Sequence, residues 1–287
     1  MPHQLLIPSG NQFRTVNYPE SGIRPSSNFG TTVTASATPN TYGTYTSLIT
    51  AIGFEVWGIA ININTGSTAA TDVRSLLTIG KDEAGGSSFT DYIPDLICGK
   101  ASTFDNFSGF NYYFPMLFKS GSSIGAKLQS SVASQTIRVS IRAFGAPAYP
   151  EATKVGSILE TFGVVAATSE GTALTPGTTS EGVFTAALTA NKGVAAREFW
   201  WWQLGYSISN TVAVAQLLHV DVYAGDATTK RRIIEPCVVR VDTGEAMCCD
   251  PHIGSATIAS GDLVYARSQS SATPETGHTV AVYAVAG

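Results

Sequence analysis

Residues Gly121, Ser123 and Gly125 have the G-x-S-x-G spacing of a hydrolase nucleophile elbow. That elbow needs a sharp strand-to-helix turn under the serine, followed along the chain by an acid and then a histidine. Here the flanking residues read as strand. At the corresponding place in the second half of the chain, Gly261 is followed by Asp262, Leu263, Val264 and Tyr265, with no serine. A turn entering a strand is therefore expected, with no catalytic partners for Ser123. The four histidines, His3, His219, His252 and His278, form no i, i+4 pair and no compact group with cysteine of the kind that marks a metal site in sequence, which leaves only a site assembled from distant residues. No catalytic residue, no metal and no cofactor is assigned.

Cys98, Cys237, Cys248 and Cys249 fit neither a dense disulfide framework nor a zinc pattern. Adjacent cysteines such as Cys248 and Cys249 seldom bond each other, because the small ring strains the peptide between them. Cys98 and Cys237 are expected to be buried and reduced. Cys248 and Cys249 are expected nearer a surface, as free thiols or as candidate inter-subunit thiols. The sequon at Asn106 is set aside for want of a secretion signal.

Phe199, Trp200, Trp201 and Trp202 hold three of the four tryptophans in one run. Side chains of a regular strand alternate between faces, so Trp200 and Trp202 are expected on one side and Trp201 on the other. At least one ring should then leave its own core. It could be covered by a loop or by the other half of the chain, meet another subunit, or form a platform for sugar stacking. Trp200, Trp201, Trp202 and Tyr283 are the candidate interface.

These groups must be carried by some arrangement of elements, and composition narrows it. Of 287 residues, 44% are hydrophobic, enough for packed cores, while only 13% are charged. Gly, Ser, Thr and Ala fill the difference, as suits short strands and tight turns. The formal net charge is −4 and the longest basic run is Lys230 to Arg232, so nucleic acid is not an expected partner. No apolar stretch is long enough to cross a bilayer as a helix, and the N-terminus lacks the basic and apolar regions of a cleaved signal.

The strongest signal is an internal repeat. At a shift of 140–141 residues, Gly30 to Thr34 matches Gly171 to Thr175, and Leu76 to Ile79 matches Leu217 to Val220. Phe118 to Ser131 matches Ile258 to Ser271 with six of fourteen positions identical, and Lys127 agrees in charge with Arg267. Period-two patterns appear where Ile137, Val139, Ile141 and Ala143 alternate with polar residues, and where Leu218, Val220 and Val222 alternate with His219, Asp221 and Tyr223. The last strand, with Val280, Val282 and Ala284 on one face and Ala281, Tyr283 and Val285 on the other, is apolar on both sides, so a neighbour should cover it. Short strands with turns every 8–12 residues argue for a sandwich or a barrel.

The run Tyr112 to Phe118, followed by Gly121, Ile124, Ala126 and Gln129, resembles structural proteins of tailed-phage virions built from jelly-roll modules. The match covers mainly the back half of the first copy; the second keeps Gly261, Val264, Ala266 and Gln269. The resemblance implies an all-β fold of two tandem antiparallel β-sandwich, jelly-roll-like domains. Residues 1–29 are read as an extended arm or irregular leading strand, 30–146 as the first sandwich, 147–170 as linker and leading segment, and 171–287 as the second sandwich. It further implies a non-enzymatic virion component made in the host cytoplasm, on the capsid or at the neck. Its partners would be itself, as a trimer or ring, and other virion proteins such as capsid or neck. The alternative is a receptor- or glycan-binding fibre module. No membrane insertion is expected.

Overall fold

The computed structural model describes residues 14–18, 30–64, 73–98, 109–146, 154–178, 180–191, 197–208, 216–241, 247–248, 256–259, 261–272 and 277–287. All regular elements among them are strands, paired antiparallel into four sheets. The first unit contains β1 (Arg14–Tyr18), β2 (Thr31–Thr34), β3 (Thr46–Ile49), β4 (Glu55–Asn64), β5 (Ser75–Asp82), β6 (Thr90–Ile97), β7 (Gly109–Phe114), β8 (Ser123–Ser130) and β9 (Thr136–Ala146). One sheet runs β1-β9-β4-β7 with β2 also on β9, and the other runs β3-β8-β5-β6. Taken in chain order, β2 to β9 alternate between the sheets except at β5 and β6, which pair in one sheet, the pattern of an eight-stranded jelly roll.

The second unit contains β10 (Ile158–Phe162), β11 (Thr172–Ala173), β12 (Arg197–Ile208), β13 (Gln216–Gly225), β14 (Lys230–Val241), β15 (Met247–Cys248), β16 (Ala256–Ile258), β17 (Leu263–Ser270) and β18 (His278–Ala286). Its sheets run β10-β18-β12-β15, with β11 on β18 and β16 on β12, and β14-β13-β17. The two orders match, except that a bridge, Leu188 to Val264, stands where β3 stands in the first unit, and a bridge, Val56 to Phe118, is the first unit's counterpart of β16. The chain is thus two tandem jelly rolls related by an internal repeat.

Alternation sets the cores. Ile59, Ile61 and Ile63 of β4 and Val139, Ile141 and Ala143 of β9 face the first core, while Leu218, Val220, Val222 and Ala224 of β13 face the second. Gly121 and Gly261 enter β8 and β17 at equivalent left-handed turns, with φ of +88° and +87°, a conformation that costs a side-chain-bearing residue. Gly30 and Gly171 lie tight against β9 and β18: an added Cβ would sit 2.5 Å from the Val139 carbonyl oxygen and 2.4 Å from that of Val280.

β1 lies inside the segment read as an extended arm or irregular leading strand and β10 inside the segment read as linker and leading segment; both are edge strands, paired to β9 and β18. One sequence expectation is modified. The match of Leu76 to Ile79 with Leu217 to Val220 is two residues out of spatial register. Ala126 pairs with Ile79 and its counterpart Ala266 pairs with Val222, so Ile79 corresponds to Val222. A slip of two keeps every side chain on its own face, which is why the sequence alone did not expose it.

Candidate functional site

The seam between the rolls takes up most of the aromatic residues singled out in the sequence. Register slips between Phe199 and Trp201 as β12 pairs with β18, a β-bulge at Trp200. The bulge breaks the alternation: Phe199 and Trp202 join the core of the second roll, while Trp200 and Trp201 both pack with the first. The expectation that Trp200 and Trp202 share a face is therefore corrected.

All three tryptophans and Tyr283 are buried within the chain, so they are not surfaces offered to a neighbouring subunit. Tyr283 stands on the outer face of the β10-β18-β12-β15 sheet and enters the open side of the first roll, between β6 and β7. Its hydroxyl donates to the Asp95 carbonyl at 3.0 Å and accepts from the Ile97 N–H at 2.9 Å. Its ring meets Tyr112 and Phe114 edge-on, at centroid distances of 5.6 and 6.0 Å. Trp201 meets Tyr113 at 5.3 Å, and Gln203 bonds the backbone of Tyr113 and Asn111.

Glu170, buried and at φ +54°, links the rolls from the other side: one carboxylate oxygen accepts from the Ser75 N–H at 3.0 Å and the other from the Ser207 hydroxyl. Rings of this size bury roughly 150–250 Å² each, so the seam is large and apolar enough to hold the rolls as one body. The indole N–H groups of Trp200, Trp201 and Trp202 find no acceptor among the described residues, a cost of ~1–3 kcal/mol each that the apolar burial outweighs.

A second concentration of functional groups, not picked out from the sequence, lies on the outer face of the β14-β13-β17 sheet. Tyr223 pairs with Tyr265 on one side and Arg232 on the other, and Asp221 pairs with Arg267. Residues 182–188 run along the free edge of β17, their backbone bonded to Ser268, Ala266 and Val264, and Glu181 and Phe184 reach this face from there. The Glu181 carboxylate bonds Arg232 at 3.2 Å and also pairs with Arg267; Arg232 reaches Asp221 at 3.4 Å. The Tyr223 hydroxyl accepts from both guanidiniums, with Arg232 Nε at 3.2 Å. The Arg267 guanidinium lies 4.6 Å from the Tyr223 ring and 4.9 Å from that of Phe184, and Lys230 Nζ lies 4.5 Å from the Tyr265 ring. Burial, followed by its hydrogen bond with Glu181, raises the Asp221 carboxyl to about 6, while that same hydrogen bond holds Glu181 below its usual range. Beside Arg232, an open groove of ≈ 510 Å³ runs along β14 to Asp262.

The first roll builds the same layer from other residues. Gly80 and Gly125 occupy the places of Tyr223 and Tyr265, and the rings of Tyr45 and Phe89, 5.2 Å apart, lie over them from loops. Lys127, the counterpart of Arg267, pairs with Asp91 at 2.7 Å and sits 5.0 Å from Tyr45. The charge agreement between Lys127 and Arg267, and the outward His219-Asp221-Tyr223 row, were the sequence signals for this face.

The remaining candidates fall elsewhere. The buried Ser123 donates to the Gly86 carbonyl at 2.7 Å, so its hydroxyl serves a turn. His219 is exposed on β13; His278 is buried beside Tyr206, whose hydroxyl is hydrogen-bonded to Nδ1; His3 and His252 lie outside the described residues. Cys98 is buried and Cys237, expected to be buried, is only partly so; neither is in a disulfide. Cys248 pairs with Gly205 through β15, and Cys249 and the Asn106 sequon lie outside the described residues. No group of His, Cys, Asp or Glu suited to a metal occurs among the described residues, and no helix among them is long and apolar enough to cross a membrane.

No family model matches the chain, and no curated protein sequence matches it. A solved structure of the N-terminal CBM22-1-CBM22-2 tandem domain of Paenibacillus barcinonensis Xyn10C aligns over 96% of this chain and 90% of its own, at 11% identity and a TM-score of 0.27. Superposition that loose carries no conclusion about this chain.

Proposed function

We propose that this chain is a non-enzymatic structural component of a phage virion, a capsid-decoration or neck protein that works by contact with copies of itself and with other particle proteins. The observation that carries the reading is an apolar end to the outer face of the β14-β13-β17 sheet. Val238, directly opposite His219, is 56% exposed, and Leu217, on the same face, is 45% exposed. Two branched apolar side chains set diagonally across β13 and β14 on an open sheet face are suited to a partner's surface, and a closed symmetric assembly would cover them in every copy. The seam takes the tryptophans into the chain's own interior, so contact with other subunits would fall to this outer face instead. The virion location rests on the resemblance of Tyr112 to Phe118 and the residues after it. Cryo-electron microscopy of particles from cells making this chain tests the proposal: ordered, symmetry-related copies of the tandem jelly roll are expected, and particles complete without the chain would refute it.

A receptor- or glycan-binding role is the second reading, favoured by the guanidinium and aromatic groups around Arg267.

A further inference from the structure

The groups on the outer face of the second roll are arranged for an anion. Arg232 and Arg267 point at one place from the two strands that flank β13, Lys230 stands beside them, and the Tyr223 hydroxyl lies between the two guanidiniums. A guanidinium presents fixed forked donors that match a carboxylate, and the low charge of this chain makes two converging forks conspicuous. The group that fills the cradle is the chain's own Glu181, which reaches both arginines from residues 180–191.

That internal carboxylate does not saturate the site. Arg267 Nε, a donor, is buried with no hydrogen-bond partner among the described residues; Asp221 Oδ1, also buried, accepts from no donor group there, the Asp221 carboxyl meeting the Glu181 carboxyl instead. Asp221 is only 3% exposed. An unmet donor and an unmet acceptor beside a carboxylate cradle are complementary to a molecule carrying a carboxylate and a hydroxyl together. Phe184, partly exposed at the rim, supplies an apolar ring face of the kind that packs against the C–H face of a pyranose. Space for a chain of such units continues past Arg232 in the groove along β14.

We infer that this face is a binding site for an acidic saccharide, with Arg232 and Arg267 taking its carboxylate, Asp221 accepting from a hydroxyl, and Glu181 occupying the cradle until the ligand displaces it. The inference deepens the glycan-binding reading and is independent of the assembly reading. An acidic peptide suits the site less well, since its carboxylate would replace that of Glu181 without bringing the hydroxyl that Asp221 can accept from. No corresponding site is expected in the first roll. There the cation is a single lysine, already paired with Asp91, and Tyr45 and Phe89 cover the sheet.

Titration calorimetry on the full chain tests this with 3′-sialyllactose and tri-galacturonate as probes, against lactose and acetate as controls. Wild type should bind at least one acidic saccharide, Glu181→Gln should bind it about ten-fold tighter, and Arg232→Gln should lose it. Arg232 is well exposed, so that variant keeps the measurement valid if the Glu181 variant does not fold. Lactose bound as well as the acidic sugars would overturn the acidic assignment while leaving a glycan site. Acetate bound as tightly as the saccharides would overturn the saccharide assignment. No binding of any probe by folded wild type and folded Glu181→Gln would overturn both the inference and the glycan-binding reading.

Discussion

The Tyr283 hydroxyl sits between the Asp95 carbonyl and the Ile97 N–H, so a side chain of the last strand completes the edge strand of the first jelly roll. Edge strands leave unpaired backbone groups, and β6 is irregular there: Asp95 has φ +62° and Pro94 lacks a donor. Thr161 donates to the Pro94 carbonyl at 3.0 Å in the same way. Tyr283→Phe should strand the buried Ile97 N–H and cost about 1–3 kcal/mol. Tyr283→Ala should cost about 3–5 kcal/mol and split thermal unfolding into two transitions, since it also removes the ring that joins the cores. Calorimetry reads both; a single unshifted transition in the alanine variant would show that the rolls are not coupled through this residue.

Gly80 should not tolerate a side chain. An added Cβ would sit 2.5 Å from the Tyr45 ring, so Gly80→Ala must push the ring off the sheet and break its bond to Asp91. We expect a loss of ~1–3 kcal/mol, as in other overpacked sites. Tyr45→Ala combined with Gly80→Ala should lose less than the sum of the two single changes, a coupling that a double-mutant cycle in urea would measure.

The pairing of Asp221 with Glu181 predicts a specific pH dependence. Asp221 titrates at about 6 when folded and near 3.8 otherwise, so the folded chain holds an extra proton between those values. Its contribution is present below pH 4 and is lost as pH rises through 6. At about 1.4 kcal/mol per pH unit for one proton, the change is no more than ~3 kcal/mol. Glu181, held low, contributes in the opposite sense, and its part is lost as pH falls below its usual range. Asp221→Asn should therefore flatten the fall in melting temperature between pH 4 and pH 6.5. An unchanged slope would place the titrating group elsewhere.

Burial holds the Cys98 thiol well above its usual range, and only the thiolate reacts readily. Mass-spectrometric mapping after brief treatment with a thiol reagent should find Cys237 modified and Cys98 intact in the folded chain. Cys248 and Cys249 remain proposed inter-subunit thiols: covalent multimers on a non-reducing gel, abolished by Cys248→Ser, are expected if they cross-link.

Much of the fold was legible in the chain because β8 and β17 repeat one another in register, with the same turn glycine ahead of each. The alternation in β9 and β13 was equally plain. The destination of the Trp200 and Trp201 rings was not, since one bulge reverses the side that alternation assigns. β1 and β10 were hard to delimit because each is a five-residue edge strand whose partner strand is distant in sequence. The Arg232–Arg267 cradle was hidden for a related reason. Its members come from β13, β14, β17 and the segment near Glu181, and each looks like an ordinary surface residue until the sheet brings them together.

The proposed assembly role is tested most directly by the mass of the purified chain in solution. Multi-angle light scattering at micromolar concentration should give a closed oligomer, a trimer or a ring, and Val238→Glu should reduce it to monomer without changing the melting transition. A stable wild-type monomer of 30.1 kDa under the same conditions would contradict the account.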